Sequence, residues 1–166
     1  MTPRSRVFLG LGSNVGNREY YLTRAIDEME KCEIKVVQRS SIYQTDAWGI
    51  RDQSPFLNQV VEVSTEVSPE HLLLTLQSIE KKLGRQYRRK WREREIDLDI
   101  LYFDDRIIDS DKLQIPHVFV QERKFVLIPL HEIAPDFADP RSGNTICELL
   151  ASCTDESRVS IYTPTV

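Results

Sequence analysis

The order of strand-like and helix-like segments predicts an α+β fold built on a mainly antiparallel sheet. Two segments carry apolar residues at helical spacing, from about Arg18 to Lys31 and from Ser68 to Gly84. One strand-like run precedes the first segment, two lie between the segments and one follows the second. That order matches two split β-α-β units, so we expect a ferredoxin-like sandwich with helices packed on the sheet. A doubly wound parallel sheet would require more alternating helices than the chain offers.

The first strand and the first helix are joined by a glycine-rich turn. Val7–Leu11 is an apolar run typical of a buried strand, and Gly12–Asn17 is interpreted as the turn after it. The glycine spacing does not match a nucleotide-binding loop, because a dinucleotide fingerprint needs its third glycine where Val15 stands and a P-loop needs Gly-Lys-Ser/Thr. A tight turn that uses glycine for positive φ is the better interpretation of the spacing alone.

Two strands and a polar loop separate the predicted helices. Ile34–Tyr43 and Phe56–Val63 are strand-like, and we expect them to pair as a hairpin. The loop between them, Gln44–Pro55, carries Trp48. An aromatic ring on a loop can stack on a planar ligand or fold back onto the core, and the residue type alone leaves both open.

The second helix has a start signal and a stop signal. Ser68 suits the N-cap, Pro69 suits the first helical position and Gly84 is placed to end the helix. The apolar face of this helix consists of Leu72, Leu73, Leu76, Ile79 and Leu83. The chain then runs through a basic segment into a strand expected over Ile96–Phe103.

Shorter elements are expected in the remaining part of the chain. Ile115–Val118 reads as an extended patch, and within the apolar stretch Gln121–Ile133 we expect Pro129 to open a short helix. The tail predicts one small helix at Ile146–Leu150 and a final strand at Val159–Tyr162.

Composition limits the class of protein. A chain of 166 residues, 40% hydrophobic and 29% charged, predicts a single soluble globular domain over residues 1–166. The net charge of -4 argues against a general nucleic-acid binder. Three cysteines at spacings that match neither a zinc site nor a CxxC pair predict reduced thiols. The apolar run near the N-terminus is too short for a signal peptide or a membrane span, so we expect a cytoplasmic location.

The segment Arg85–Phe103 combines a cluster of cations with two carboxylates. Six Lys or Arg residues and two Glu residues occur between Arg85 and Glu95. Asp97 and Asp99 would share one face of a strand, with their apolar neighbours Ile96, Leu98 and Ile100 on the other. Two like charges at this spacing are unfavourable without a cation between them, and Mg²⁺ takes oxygen ligands. The segment therefore predicts a metal site whose neighbouring arginines bind a polyphosphate.

The sequence Lys90–Leu101, KWREREIDLDIL, resembles the signature of the 6-hydroxymethyl-7,8-dihydropterin pyrophosphokinases, a family of folate biosynthesis. The resemblance is colinear over roughly residues 7–150 and includes Gly12-Ser13-Asn14, Phe56-Leu57-Asn58, Glu80 with Gly84-Arg85, Pro116-His117 and Arg123 with Phe125. It implies a ferredoxin-like enzyme that transfers the terminal pyrophosphoryl group of ATP to the pterin's hydroxymethyl oxygen and releases AMP.

The same resemblance implies a set of site residues. Asp97 and Asp99 would bind two Mg²⁺ ions and would act in catalysis with Arg85 and Arg94. The positions implied for ATP are Gln77, Glu80, Arg85, Arg94, Ile100, Lys112, His117 and Arg123. The positions implied for the pterin are Gly12, Thr45, Ala47, Trp48, Phe56, Asn58, Trp91 and Phe125, with Trp91 closing over both substrates. No nucleic acid, membrane or obligate protein partner is implied.

Two other classes are compatible with parts of the sequence. A small ferredoxin-like RNA-binding module would use the cations and aromatic residues of RQYRRKWRER, although the strand aspartates would repel phosphate without a metal. A metal-binding regulatory domain could keep the fold without catalysis. An AMP-release assay discriminates these classes from the enzyme, and both aspartates together with the distributed site residues favour the enzyme.

Overall fold

The computed structural model describes residues 3–45, 55–85 and 94–164. In chain order their elements are β1 (Ser5–Ser13), α1 (Arg18–Lys31), β2 (Lys35–Arg39), β3 (Tyr43–Thr45), β4 (Phe56–Thr65), α2 (Pro69–Lys82), β5 (Asp97–Phe103), β6 (Ile108–Asp109), β7 (Gln114–Ile115), a 3-10 turn (Val120–Glu122), α3 (Lys124–Ile133), α4 (Ile146–Ser152) and β8 (Val159–Ile161).

The main sheet of the described residues has the order β5-β1-β4-β3-β8, with β2 also paired to β4. All of these pairs are antiparallel. The chain leaves β1 through α1, makes a hairpin of β2 and β3 with β4, and returns through α2 to β5 on the other side of β1. This arrangement of split β-α-β units confirms the predicted ferredoxin-like α+β fold.

Helices α1 and α2 cover one face of the central strands, and α3 and α4 cover part of the opposite face. Helices α1 and α2 pack over the cluster that includes Val7, Leu9, Leu11, Leu98 and Ile100. On the opposite face α3 and α4 pack over a cluster that includes Phe8, Val60, Leu101, Tyr102 and Leu127. A bulge in the β1–β5 register puts the adjacent residues Leu101 and Tyr102 in the same cluster. The remainder of this second face is where the site lies.

The ends of the predicted helices agree closely with the structure. Ser68 Oγ accepts the His71 backbone N–H at 3.1 Å and caps α2. Gly84 follows the helix with a φ of 89°, a conformation that glycine adopts without steric cost. The predicted turn at Gly12 starts too early, because β1 extends to Ser13 through its pairing with both β4 and β5.

The strand predicted over Ile34–Tyr43 is in fact two strands, β2 and β3, which pair with different parts of β4. Ser40 lies between them. Its N–H donates to the Val60 carbonyl at 2.9 Å, and its Oγ accepts the Val60 N–H at 3.0 Å. The serine side chain thus replaces a backbone acceptor and lets the chain change register without leaving a buried amide unpaired.

The prediction that Pro129 opens a helix is wrong, because Pro129 lies inside α3, which begins at Lys124. The Lys124 N–H donates to Asp155 Oδ2 at 3.0 Å, and the Leu127 N–H donates to the Arg123 carbonyl at 3.0 Å. Asp155, which is distant in sequence, therefore accepts the first N–H of the helix, about one turn before the proline.

Within the described residues, no helix is both long and apolar enough to cross a membrane.

Candidate active site

The part of the second sheet face left uncovered by α3 and α4 is floored by glycine. Alternation along β1 puts Phe8, Gly10 and Gly12 on this face, and Phe8 is covered by the helices. Gly10 is paired with Asp99 on β5 and Val60 on β4, and Gly12 with Asp97 and Asn58. Because the central strand carries no side chain there, a cavity forms between the aspartates and β4.

The cavity is open to solvent at its mouth and contains about 640 Å³ of unfilled space when that mouth is included. Thr45 closes it from β3, Phe56 and Asn58 from β4, and Phe125 from α3. Its cationic and acidic lining consists of Arg94, Asp97, Asp99 and Arg123. The cavity thus joins an apolar, aromatic part to a charged part.

Asp97 and Asp99 both line this cavity, while Leu98 and Ile100 are buried under the helices on the other face. The predicted division of the strand into a carboxylate face and an apolar face is confirmed. Loss of hydration raises the pKa of Asp99 well above its usual range, and the negative charges of Asp97 and then Glu80 raise it further. A cation at this position would relieve that repulsion.

Glu80 and Arg85 lie behind Asp97. One guanidinium nitrogen, Arg85 Nη1, lies 2.6 Å from Glu80 Oε2 and 3.2 Å from Asp97 Oδ1. Glu80 Oε2 also accepts the Leu98 backbone N–H at 2.8 Å. Burial is the main reason that the pKa of Glu80 is raised to about 7, against the lowering effects of the Leu98 amide and Arg85. The contact ties the end of α2 to the start of β5.

His117 and Arg123 lie on the Asp99 side of the site. His117 Nδ1 accepts the Phe119 backbone N–H at 3.2 Å, so the proton of the neutral ring is on Nε2, 3.9 Å from Asp99 Oδ1. Burial first, and then the charge of Arg123, lower the pKa of His117. The Arg123 guanidinium lies 4.3 Å from the centre of the Phe119 ring. The neutral His117 ring therefore has its Nε2–H on the side of Asp99, and Arg123 lines the same cavity as Asp97 and Asp99.

A second groove adjoins the cavity and shares Asp99 with it. Ile100 and His117 line it, as does Lys112 from the segment between β6 and β7. The structure thus brings these three sequence-predicted residues together at one place. Gln77 differs, because it is exposed on α2 and lines neither the cavity nor the groove.

The residues predicted for the planar substrate converge on the cavity where they are described. Gly12, Thr45, Phe56, Asn58 and Phe125 all line it. Thr45 Oγ1 and Asn58 Nδ2 are buried and have no hydrogen-bond partner among the described residues. Buried polar atoms are normally paired, so these two indicate a polar ligand. Ala47, Trp48 and Trp91 lie outside the described residues.

Gly10 was not among the predicted site residues, and Asn14 was predicted only as part of the substrate-adjacent Gly12-Ser13-Asn14 turn, without a role of its own. The Gly10-x-Gly12 spacing on a strand was a usable signal, because residues two apart share a face. Asn14 contacts Arg94, a residue that is 80 positions away, and no local pattern shows that contact.

Among the described residues, no group of three or more metal-ligating side chains is assembled. Two carboxylates nonetheless fit Mg²⁺, which commonly takes one or two carboxylates and completes its shell with water and substrate phosphates.

Comparisons with known proteins agree with this geometry. The family model of 7,8-dihydro-6-hydroxymethylpterin-pyrophosphokinase matches residues 8–135. The 2-amino-4-hydroxy-6-hydroxymethyldihydropteridine pyrophosphokinase of Aquifex aeolicus is 42% identical over 134 residues, which cover 81% of this chain and 83% of that protein. The protein of the same name from Methylorubrum extorquens is 44% identical over 148 residues, which cover 89% of this chain and 92% of that protein.

Solved structures support the fold. A crystal structure of Plasmodium falciparum HPPK-DHPS with pteroate matches with a TM-score of 0.73 at 18% identity. The match covers 91% of this chain, which spans 42% of that longer chain. On the strength of the family match and the bacterial relatives, the chain belongs to the 7,8-dihydro-6-hydroxymethylpterin-pyrophosphokinase family.

Proposed function

We propose that this chain transfers the terminal pyrophosphoryl group of ATP to the hydroxymethyl oxygen of 6-hydroxymethyl-7,8-dihydropterin in a reaction that depends on Mg²⁺. The observation that carries the proposal is the position of Asp99, which lines both the glycine-floored cavity and the adjoining groove. Two substrates bound in these two places would meet at the aspartates.

The cavity fits a flat, polar-edged heterocycle. Gly10 and Gly12 leave room for a ring against the sheet, and the rings of Phe56 and Phe125 line the same space. The unpaired Thr45 Oγ1 and Asn58 Nδ2 supply hydrogen-bonding groups at its buried end. A pterin, which has an aromatic ring system with an amide and amino edge, would satisfy both features.

The adjoining groove fits a nucleoside whose phosphates point toward the aspartates. Ile100 and Leu73 supply apolar contacts, and Lys112 supplies a positive charge. The neutral His117 ring can donate from Nε2 to a phosphate oxygen. Arg94 and Arg123 line the cavity beside Asp97 and Asp99, where the transferring group would lie. Glu80 would act by holding Arg85, because its carboxylate is already bonded to that guanidinium and to the Leu98 amide.

Asp97 and Asp99 would hold the metal, and we propose two Mg²⁺ ions. Bound Mg²⁺ would neutralise the triphosphate and stabilise the charge that develops during transfer. The arginines would hold the phosphate chain in line with the hydroxymethyl oxygen. That oxygen forms a bond to the β-phosphorus and its proton passes to water. The bond from this phosphorus to the bridging α-β oxygen breaks, and AMP leaves with that oxygen. Because phosphoryl transfer relies on positioning and charge, no dedicated general base is required.

Replacement of each aspartate tests the proposal. Asp97→Ala and Asp99→Ala should abolish AMP release from ATP in the presence of the pterin alcohol and Mg²⁺, while far-UV circular dichroism remains that of the parent protein. Asp105→Ala is the matched control, since Asp105 is an exposed aspartate just beyond the same strand. Removal of Mg²⁺ by EDTA should stop the parent enzyme. Near-parental turnover in either site variant would overturn the metal assignment.

The RNA-binding alternative is not supported, because the uncovered sheet face presents carboxylates and the relatives are pyrophosphokinases. We also propose a single domain over residues 1–166, since β1–β5 and β8 form one main sheet. The separate two-stranded sheet of β6 and β7 adds Ile115 to the core cluster under that sheet. A reducing compartment such as the cytoplasm is proposed as the location, because Cys32, Cys147 and Cys153 are free thiols.

A further inference from the structure

Asn14 and Arg94 are joined by two hydrogen bonds at the end of β1. The Asn14 N–H donates to the Arg94 carbonyl at 3.0 Å, and the Arg94 N–H donates to Asn14 Oδ1 at 2.8 Å. Asn14 is only 3% exposed. A single residue therefore satisfies both polar groups of the Arg94 backbone and leaves the guanidinium available to the cavity that it lines.

This contact lies beyond the regular pairing of β1 with β5. The described ladder ends where Gly12 is paired with Asp97. Continuing the same register would place Asn14 opposite Glu95, so the bonds to Arg94 are offset by one residue from that ladder. In a regular hydrogen-bonded antiparallel pair the Arg94 N–H would donate to the backbone carbonyl of the opposite residue. Here it donates to the Asn14 side-chain oxygen, so the contact depends on the side chain of residue 14.

We propose that Asn14 is a positioning residue that fixes Arg94 relative to the glycine floor and the two aspartates. The inference rests on the proposed function, in which the Arg94 guanidinium binds the transferring phosphates. Asn14 follows Gly10 and Gly12 closely in the chain, so its bonds hold Arg94 at a fixed position relative to the strand beneath the cavity. Loss of these bonds would displace Arg94 without removing its charge.

The amide side chain suits this role better than its alternatives. A leucine has a similar size but no acceptor, so it would leave the Arg94 N–H without this bond. An aspartate keeps an oxygen acceptor at the same position, and its charge would lie near cations as well as near the two site aspartates. Asn14→Asp therefore retains the positioning bond and serves as the conservative variant.

The test is a set of steady-state measurements with ATP, Mg²⁺ and 6-hydroxymethyl-7,8-dihydropterin. Asn14→Leu should lower kcat by on the order of 10–100-fold with a much smaller change in the KM of the pterin, because a misplaced group costs catalysis before it costs binding. Asn14→Asp should recover most of kcat. Asn17→Leu is the matched control, because Asn17 Oδ1 likewise accepts a backbone N–H, that of Tyr20 at 3.1 Å, but caps α1 away from Arg94.

A double-mutant cycle separates positioning from a general structural effect. In an Arg94→Met background, Asn14→Leu should cause little further loss of kcat, because the group that Asn14 positions is already absent. Equal losses in the two backgrounds, or a loss in Asn17→Leu as large as that in Asn14→Leu, would overturn the inference. If the parent protein releases no AMP, the proposed function itself fails; if it does and the cycle is additive, only the role of Asn14 fails.

Discussion

Gly12 shows how the absence of a side chain shapes the site. A Cβ built on Gly12 would lie 3.1 Å from Asn58 Oδ1 and 3.6 Å from the Phe56 ring. A Cβ built on Gly10 would meet only the Leu101 side chain, at 3.5 Å or more, which is ordinary van der Waals contact. The two glycines share one face of β1, but only at Gly12 would an added Cβ crowd a residue predicted to bind the heterocycle, Asn58.

Gly12→Ala should therefore weaken binding of the pterin while leaving binding of the nucleotide almost unchanged. A loss of roughly tenfold or more in pterin affinity is expected, since the Asn58 side chain must shift to admit one methyl group. Isothermal titration with the pterin in the presence of a non-hydrolysable ATP analogue measures the effect. Gly10→Ala is the comparison and should lose less. Equal losses of pterin and nucleotide affinity in Gly12→Ala would contradict the assignment of the cavity to the pterin.

Residue-scale prediction succeeded where local alternation carried the information. The shared face of Asp97 and Asp99 follows from strand geometry alone, and the structure has it. Helix patterning alone favours a solvated charge at Glu80, whereas the side chain is buried in the structure. The pairing of Asn14 with Arg94 depends on how two distant segments meet, and no local period encodes it.

At the scale of elements, strand and helix boundaries depend on bonds between distant residues. Ser40 divides the predicted second strand by bonding to Val60, and Asp155 starts α3 before Pro129. Tyr43 on β3 donates from its OH to Glu132 Oε1 on α3 at 2.5 Å, and the Ser41 N–H donates to the same carboxylate at 3.0 Å. Glu132 thus links the helix beside the cavity to the strand that carries Thr45.

Tyr43→Phe should lower the free energy of unfolding by about 1 kcal/mol at pH 8, because it removes a part-buried hydrogen bond to a charged acceptor. Tyr20→Phe is the matched control, since Tyr20 is 52% exposed and should lose little. Urea unfolding monitored by circular dichroism measures both values. A loss in Tyr20→Phe equal to that in Tyr43→Phe would remove the Glu132 contact as the explanation.

The parent protein and Tyr43→Phe should also differ in how their free energy of unfolding depends on pH in the alkaline range. Burial, and then the bond and charge of Glu132, raise the pKa of Tyr43 from 10.0 to about 12. A group with a raised pKa in the folded state contributes stability that is complete below its unfolded pKa and is lost as pH rises through the folded value. The parent protein should therefore lose stability more steeply than Tyr43→Phe between about pH 10 and pH 12. Parallel pH profiles would contradict the contact.

At the scale of the whole molecule, the fold separates stability from chemistry by sheet face. Helices α1 and α2 cover one face with the larger apolar cluster, and α3 and α4 cover only part of the other. The order of elements was sufficient to predict the antiparallel sheet and its helices. It could not show which part of the second face stays open, because that depends on where α3 begins and on the glycines beneath the cavity.

Repulsion between the carboxylates on the open sheet face should lower the free energy of unfolding of the ligand-free protein. Asp99 lies near Asp97 and Glu80, and reduced hydration with their negative charges holds its pKa well above the usual range. Since 38% of its side chain remains exposed, solvent screens part of this repulsion. A carboxyl group with a raised pKa favours the folded state below its unfolded pKa and costs stability as pH rises through the folded value.

Asp99→Asn should therefore raise the free energy of unfolding of the ligand-free protein at pH 8 by about 0.5–1 kcal/mol while abolishing AMP release, a gain typical of relieving one unfavourable feature of a functional site. The gain should shrink as pH falls toward 4, because the carboxyl is then protonated in the unfolded parent protein as well as in the folded one. Mg²⁺ with a non-hydrolysable ATP analogue should stabilise the parent protein more than the variant, because only the parent offers both carboxylates. Urea unfolding at pH 5 and pH 8, with Asp105→Asn as the exposed control, measures these differences. A ligand-free Asp99→Asn protein less stable than the parent at pH 8 would show that the contacts of the Asp99 side chain outweigh the repulsion between the carboxylates.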